Sequence, residues 1–253
     1  MIDELERLLA RALVLPVILL PILLVTGLSL GKVTARGVML PEGAPVRIAA
    51  AAYTPRQHLV ALSTYMAAMR ANGQDTEEYV LLYRTHVKPV EQSLLDWGLD
   101  PSLARRVAWP LVENSYERAL DPATVVAVLL IESSGRPNAT SFMGARGLMQ
   151  VMPMHRGRWP GCGDDLYDIE SNLCYGTSIL AWFLDLHGGD EQRALLGYNG
   201  CIRGTNTPNC HTYPGRVKRL RERIQRDWER LEPQSYPTAA IDTAAIDPYL
   251  HGD

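Results

Sequence analysis

One carboxylate in this chain, Glu132, stands where a general acid could be built. It follows an apolar run over residues 125–131 that predicts a helix, and it precedes SSGRP over residues 133–137, which predicts the end of that helix. A carboxylate held against Val, Leu and Ile side chains is poorly solvated, so its pKa should rise towards neutrality. The competing interpretation is a solvated residue at a helix end with no catalytic role.

A second polar group follows in an apolar setting. The turn-rich residues 141–147 lead into LMQVM over residues 148–152, where Gln150 is the single amide before Pro153. An amide in such a place can orient a polar ligand. We therefore expect the chemistry of this chain to be organised around residues 127–153.

Three sequence blocks, taken in order, resemble the signature of the soluble lytic transglycosylases, the goose-type-lysozyme-like family that cleaves bacterial peptidoglycan. The first block is ESS at residues 132–134, then Pro137, Ala139 and Ser141, then GA-x-GLMQ-x-MP at residues 144–153. The second holds Leu166, Tyr167, Asp168, Asn172, Gly176, Ile179 and Leu180, and the third holds Ala194, Leu195, Tyr198 and Asn199. The resemblance covers residues 104–220.

This resemblance implies a mainly α fold, a lysozyme-like helical catalytic domain with a possible short β-hairpin between residues 136 and 149. It also implies cleavage of the β-1,4 bond from N-acetylmuramic acid to N-acetylglucosamine by intramolecular transfer, which leaves 1,6-anhydro ends. Glu132 would be general acid and then base. By the same resemblance Ser141 hydrogen-bonds the substrate, Gln150 and the Met149 backbone line the sugar subsites, and Tyr198 with Asn199 orients Glu132 or the sugar acetamido group. No cofactor or metal is implied.

Two other functions remain open. One is a hydrolytic muramidase or chitinase-like enzyme on the same fold, and the other is a non-catalytic peptidoglycan-binding scaffold. The motifs contain no partner acid, in keeping with a substrate that supplies its own nucleophiles. One of Asp164, Asp165, Asp168 and Glu170 could nevertheless approach the cleft.

The chain divides by composition into five regions. They are a membrane anchor or signal segment (1–31), a linker (32–53), a helical accessory region (54–102), the catalytic domain (103–232) and a flexible tail (233–253). Within the accessory region and beyond it, Asp100–Pro101 and Asp121–Pro122 each predict an N-cap followed by the first residue of a helix.

The apolar run over residues 12–30 contains no charge and is just long enough to cross a bilayer as a kinked helix. This predicts an enzyme tethered to the inner membrane, with its catalytic domain in the periplasm or outside the cell. The alternative is a cleaved signal peptide and a secreted periplasmic protein.

Four cysteines follow this segment, and their even number predicts disulfides in an oxidising compartment. Local pairing, Cys162 with Cys174 and Cys201 with Cys210, is preferred among three connectivities. A zinc site with His155 or His211 is the alternative, although close Cys pairs are lacking. The family more often has a small residue at the position of Cys201, so this loop departs from its pattern.

The net charge of the chain and the placement of its basic residues indicate which kinds of partner it binds. The net charge is −3, and no broad basic tract with interleaved aromatic residues exists, which argues against nucleic acid. The partners expected are peptidoglycan glycan strands and, through the N-terminal segment, a membrane. Residues 216–231 predict a helix with an apolar face and an arginine-rich side, which either simply docks on the domain or contacts an anionic partner such as phospholipid or acidic wall polymers.

Overall fold

The computed structural model describes residues 54–72, 76–201 and 210–231, all within one compact unit. The predicted membrane segment, linker and tail lie outside these residues. Within them, no helix has both the length and the apolar composition needed to cross a membrane. The five regional boundaries proposed from the sequence stay predictions.

The described residues fold mainly into helices, as the sequence predicts. They are α1 (Pro55–Asn72), α2 (Glu77–Leu82), α3 (Lys88–Asp96), α4 (Pro101–Glu117), α5 (Pro122–Ser133), α6 (Ile169–Leu186), α7 (Glu191–Tyr198) and α8 (Tyr213–Leu231). A π-helical turn, Tyr83–Val87, joins α2 to α3, and 3-10 turns lie at Pro153–His155 and Cys210–Thr212. The π turn comes just before Pro89, which has no N–H to continue an α-helical ladder.

The predicted helix starts are confirmed at two aspartates. Asp100 accepts hydrogen bonds from the N–H groups of Ser102 and Leu103, and Asp121 accepts one from Ala123. Each aspartate therefore satisfies a backbone donor that the first helical turn would leave unpaired. In each case a proline occupies the first helical position, where its missing N–H costs nothing.

Helix α5 runs through the centre of the fold. Every residue from 123 to 130 is buried, and a helix that is apolar on all sides can be stable in water only when other elements surround it. Helices α3, α4 and α8 supply those surroundings. The position of α5 fixes where its last residues, including Glu132, reach the surface.

The region predicted as accessory packs directly on the rest of the fold. Helix α1 lies against α4, and the Arg70 guanidinium makes 2.8 Å ion pairs with Glu113 of α4 and Glu170 of α6. Glu113 is almost fully buried and also accepts a 2.9 Å hydrogen bond from the indole of Trp109, on which Tyr79 stacks. A buried carboxylate needs such partners, so these contacts tie α1 and α2 to α4 and α6.

The possible β-hairpin is replaced by something shorter. In the described part of the chain there is no strand, and two isolated antiparallel bridges join Arg146 to Thr140 and to Val151. Side chains and turns hold this segment in shape where a ladder would otherwise do so. Both disulfides form with the preferred local pairing, Cys162 with Cys174 and Cys201 with Cys210.

Close packing between α6 and the segment after α5 yields a stability prediction. A Cβ added at Gly176 would lie 2.6 Å from the Cβ of the fully buried Met149, so backbone must move to admit it. We expect Gly176→Ala to lower the free energy of unfolding by about 1–3 kcal/mol, less the gain of up to about 1 kcal/mol from helix propensity. Urea denaturation of the purified protein measures this change.

Gly215→Ala is the matched control, because Gly215 is also helical and a Cβ there would meet only the end of the Arg219 side chain at 3.4 Å. That variant should be as stable as wild type or more so. Equal stability of the Gly176→Ala protein and wild type would contradict the packing described.

Candidate active site

Glu132 is the next-to-last residue of α5, and its carboxyl group is largely withdrawn from water. Burial raises its pKa to about 7, against the opposing influence of a hydrogen bond and a nearby guanidinium. Ser134 ends the helix in a left-handed conformation at a φ of 54°. The chain therefore leaves the helix at Ser134, and Glu132 lies at the C-terminal end of an apolar helix, as the sequence predicts.

The hydrogen bond to Glu132 comes from Tyr213. The Tyr213 hydroxyl donates to Oε1 of Glu132 at 2.6 Å, and Tyr213 is only 3% exposed. Because the bond is made to the carboxylate, it favours the charged form and lowers the pKa of Glu132, although less than burial raises it. Tyr213 thus fixes the direction of the carboxyl group without cancelling its raised pKa.

Arg216 acts on the same carboxylate from the first turn of α8. Its positive charge also lowers the pKa of Glu132, as the smallest of the three effects. Burial and the charge of Glu132 raise the pKa of Tyr213 well above the ordinary tyrosine value. The tyrosine therefore remains a neutral hydrogen-bond donor throughout the physiological pH range.

A disulfide anchors the segment that delivers Tyr213. Cys201 follows the end of α7, and its partner Cys210 begins the 3-10 turn that runs directly into Tyr213. Cys210 is 3% exposed, so the bridge lies inside the fold. The loop in which this sequence departs from the family pattern is therefore closed immediately beside the tyrosine that holds the acid.

Tyr198 lies close to Glu132 but bonds elsewhere. Its hydroxyl donates to the backbone carbonyl of Met149 at 2.8 Å, while burial and the charge of Glu132 raise its pKa well above the ordinary value. Tyr198 thus joins α7 to residues 148–150, beside Glu132. Asn199 caps α7, with its backbone N–H bonded to the Leu195 carbonyl.

The other predicted binding residues lie in residues 140–151 after α5, which contain the two isolated β-bridges and are called the bridged segment. The Ser141 hydroxyl accepts a 3.0 Å hydrogen bond from the N–H of Ala145 and so closes its own turn. Gln150 has a positive φ of 50°, and its side-chain amide donates to the carbonyls of Gly147 and Ala139. Both side chains are half-buried and both shape the turn, and their contacts with substrate stay predictions.

Asn172 of α6 holds that segment against the core. Its side-chain oxygen accepts from the Met149 N–H at 2.7 Å, and its amide donates to the carbonyls of Arg146 and Leu166. A fully buried amide with three bonds is satisfied and rigid. Met149 therefore has both backbone groups bonded within the protein, which leaves the second lone pair of its carbonyl for the predicted sugar contact.

Three of the four acids considered as partners for Glu132 make other contacts. Asp165 accepts from the Tyr167 N–H, Asp168 caps α6, and Glu170 pairs with Arg70. Asp164 is exposed. Among the described residues, no other carboxylate contributes to the pKa shift of Glu132.

Sequence reasoning missed Tyr213 and gave Arg216 only a place on a basic helix face. Both lie beyond the last motif block, so no motif drew attention to them. A usable signal was present nevertheless, since Tyr213 stands before a proline at a helix start, shortly after a cysteine expected to form a disulfide. Such a tyrosine is positioned by two local constraints at once.

The Tyr213 contact yields a prediction about the acid itself. Tyr213→Phe removes the donor that favours the charged carboxylate, so we expect the pKa of Glu132 to rise above about 7. Titration of the Glu132 side-chain carbon by NMR measures the change. In the control, Tyr198→Phe, the lost bond is one to the Met149 carbonyl, and the pKa of Glu132 should move less. A lower Glu132 pKa in Tyr213→Phe would contradict the assigned bond.

This part of the chain is similar to known proteins. Residues 111–212 match the family model described as Transglycosylase SLT domain. Over 107 residues the chain is 41% identical to a protein named Transglycosylase from Enterobacteria phage PRD1, and the alignment covers 41% of this chain and 38% of the phage protein.

Several bacterial relatives carry the name Endo-type membrane-bound lytic murein transglycosylase A. Those of Citrobacter koseri and Klebsiella pneumoniae subsp. pneumoniae are 31% and 30% identical over 96 residues, which is 34% of this chain and 47% of each relative. The chain thus spans less than half the length of these relatives. The matches confirm the resemblance carried by the three motif blocks, in that residues 111–212 of this chain match a transglycosylase SLT domain.

Proposed function

We propose that this protein is a peptidoglycan lytic transglycosylase in which Glu132 acts first as general acid and then as general base. The observation that carries the proposal is a single carboxyl group with a pKa of about 7, held by Tyr213 within the matched type of domain. A group with such a pKa is present in both protonation states near neutral pH. It can therefore give up a proton and take one back in a single reaction cycle.

In the first step, protonated Glu132 donates its proton to the oxygen of the β-1,4 bond between N-acetylmuramic acid and N-acetylglucosamine. The bond from C1 of the muramic residue to that oxygen breaks, and the N-acetylglucosamine side leaves with a free 4-hydroxyl. Positive charge develops at C1, and the acetamido group of the same sugar stabilises it. The carboxylate of Glu132 is then ionised.

In the second step, the Glu132 carboxylate removes the proton of the muramic C6 hydroxyl. The C6 oxygen bonds to C1 and closes a 1,6-anhydro ring, and Glu132 is again protonated. No water is consumed, and no second protein carboxylate is needed. The lack of another carboxylate acting on Glu132, among the described residues, supports this route over one with the paired acids of most glycosidases.

The substrate contacts in this proposal come from the segment after α5 and the end of α7. Ser141, Gln150 and the Met149 backbone line the sugar subsites, and Tyr198 with Asn199 orients the acid or the acetamido group. The bonds from Asn172 and Tyr198 to Met149 support this assignment, because they hold the lining segment rigidly beside Glu132. Rigid support of this kind is what substrate positioning requires.

The same proposal places the domain outside the cytoplasm, where peptidoglycan lies. Two disulfides support an oxidising compartment, and the uncharged run over residues 12–30 supports either a membrane anchor or a cleaved signal peptide. The name of the bacterial relatives describes membrane-bound enzymes, which favours the anchor.

Mass analysis of the fragments released from purified sacculi tests the reaction. Wild type should release fragments with 1,6-anhydromuramic ends. Glu132→Gln keeps the size of the side chain and an acceptor for Tyr213 but has no proton to transfer, so its rate should fall about 100-fold or more. Fragments with reducing ends alone would contradict transglycosylation and favour the hydrolytic alternative.

Glu229→Gln provides the matched control, since Glu229 is exposed near the end of α8, away from the described site. Its release of anhydro fragments should equal that of wild type, which corrects for any general effect of losing one negative charge. Wild-type activity in the Glu132→Gln protein would remove Glu132 from the reaction.

A further inference from the structure

Glu132 and the tyrosine that bonds to it come from distant parts of the chain. Tyr213 is the first residue of α8 and lies 81 positions beyond Glu132, so no local structure brings the two together. The last turns of α8 are held by side-chain contacts such as the 2.7 Å hydrogen bond from the indole of Trp228 to Ser93 of α3. The first turn needs its own support, because part of the backbone at a helix end has no partner within the helix.

The Cys201–Cys210 disulfide gives the start of α8 that support. Cys210 begins the 3-10 turn that precedes Tyr213 and is buried, and its Cα lies 5.5 Å from that of Cys201. Cys201 is bound in turn to the end of α7, because its N–H donates to the Leu196 carbonyl at 2.9 Å. The disulfide therefore attaches the segment that carries Tyr213 to the helix that carries Tyr198.

The sequence between these two cysteines is typical of turns and does not predict a packed element. Residues 202–209 read IRGTNTPN and contain one aliphatic side chain, Ile202. When the ends of such a loop are not cross-linked, bringing them together costs conformational entropy. We therefore expect the start of α8 to be held less firmly against Glu132 whenever the two sulfurs are not bonded.

The second disulfide has no such relation to Glu132. Cys162 and Cys174 join the turns after Pro153 to α6, and the sulfur of Cys174 accepts a 3.4 Å hydrogen bond from the guanidinium of Arg118. Neither of the two side chains that lower the pKa of Glu132 lies between these cysteines. Cys162–Cys174 therefore serves as a control for Cys201–Cys210.

We propose that the Cys201–Cys210 disulfide positions Tyr213 against Glu132, so that the enzyme reaches its full rate only where this bond can form. The inference rests on the proposed function for its effect on rate, but not for its effect on Glu132. A tyrosine that is held in place keeps the carboxyl group aimed, and loss of that aim slows proton transfer. Because the cytoplasm keeps thiols reduced, the full rate is reached after export.

Reduction of the bond by a dithiol releases the start of α8. The dithiol supplies two electrons, the S–S bond breaks, each cysteine sulfur takes up one proton, and the reductant closes to a cyclic disulfide. Cys201 is the more exposed of the two cysteines, which favours attack at its sulfur. Reoxidation restores the bond and, with it, the position of Tyr213.

The first test follows Glu132 without any substrate. In the double variant Cys201→Ala, Cys210→Ala we expect the pKa of Glu132 to rise above about 7. The reason is that Tyr213 and Arg216, which lower this pKa, both lie in the first turn of α8. Titration of the Glu132 side-chain carbon by NMR measures the change, and an unchanged or lower pKa would overturn the proposal.

The control in that titration is the double variant Cys162→Ala, Cys174→Ala. Its Glu132 should titrate as in wild type, because the segment before α8 is intact. Tyr198, whose pKa the charge of Glu132 helps to raise well above the ordinary value, stays neutral in all these proteins and does not contribute to the difference. An equal shift in both double variants would contradict a specific role of Cys201–Cys210.

The second test asks whether the disulfide acts through Tyr213. With soluble glycan strands, Cys201→Ala, Cys210→Ala should lower kcat about tenfold or more and change KM less, and the alkaline limb of kcat/KM should move to higher pH. The same two substitutions in a Tyr213→Phe protein should have little further effect on either, since the donor is already absent. Equal losses in the two backgrounds would mean a general structural effect and would refute the positioning role.

Reduction of the folded protein gives a measurement that does not depend on how a variant without Cys201 and Cys210 folds. The chain has four cysteines, so in the Cys162→Ala, Cys174→Ala protein a dithiol can reduce only the Cys201–Cys210 bond. The rate should fall about tenfold or more and return on reoxidation. A constant rate, while a thiol assay shows the bond to be fully reduced, would rule the proposal out.

These tests separate the inference from the function on which it rests. A raised Glu132 pKa on loss of the bond, in a protein whose wild type releases no anhydro fragments, would support the positioning role and contradict the proposed reaction. Anhydro fragments released equally fast with and without the bond would support the reaction and overturn the positioning role.

Discussion

Two opposing effects on the pKa of Glu132 are central to the structure. Burial of the carboxyl group raises this pKa, and the hydrogen bond that Tyr213 donates to it lowers it. Burial alone raises the pKa of the carboxyl group, and the bond and the charge of Arg216 bring it part of the way back. The resulting value of about 7 suits a group that must exchange a proton in both directions near neutral pH. Most other features of the described fold can be understood as the means of holding these groups in place.

Holding a carboxylate in this way costs stability, and the cost depends on pH. Below the pKa of an unfolded glutamate, Glu132 is protonated in both states and folding carries no penalty from it. As pH rises to the folded value of about 7, the unfolded state gains charge first, so stability is progressively lost. The buried α5, the bonds of Asn172 and the buried bridge at Cys210 offset that loss in the surrounding fold.

The sequence alone predicted the parts of the site whose physics is local. The caps at Asp100 and Asp121, the helix that ends beside Glu132 and the local cysteine pairs each follow from residues close together in the chain. Tyr213 could not be found in this way, because its contact with Glu132 joins two helices far apart in sequence. The packing of α1 on α4 through Arg70 and Glu113 was likewise invisible, since a helical pattern shows that a face is apolar but not what covers it.

The bridged segment after α5 lies between these cases. Its turn residues were apparent from the sequence, and the hairpin expected there is reduced to two bridges because Ser141, Gln150 and Asn172 supply hydrogen bonds that a longer ladder would otherwise provide. Which backbone groups a buried amide selects depends on tertiary placement. Residue types alone do not specify it.

The pH dependence of kcat/KM for cleavage of soluble glycan strands tests the central claim most directly. If protonated Glu132 is the acid, kcat/KM should decline at high pH with an apparent pKa close to 7. A rate that stays constant up to about pH 9, or one that already declines at the ordinary glutamate pKa of about 4.3, would contradict the account.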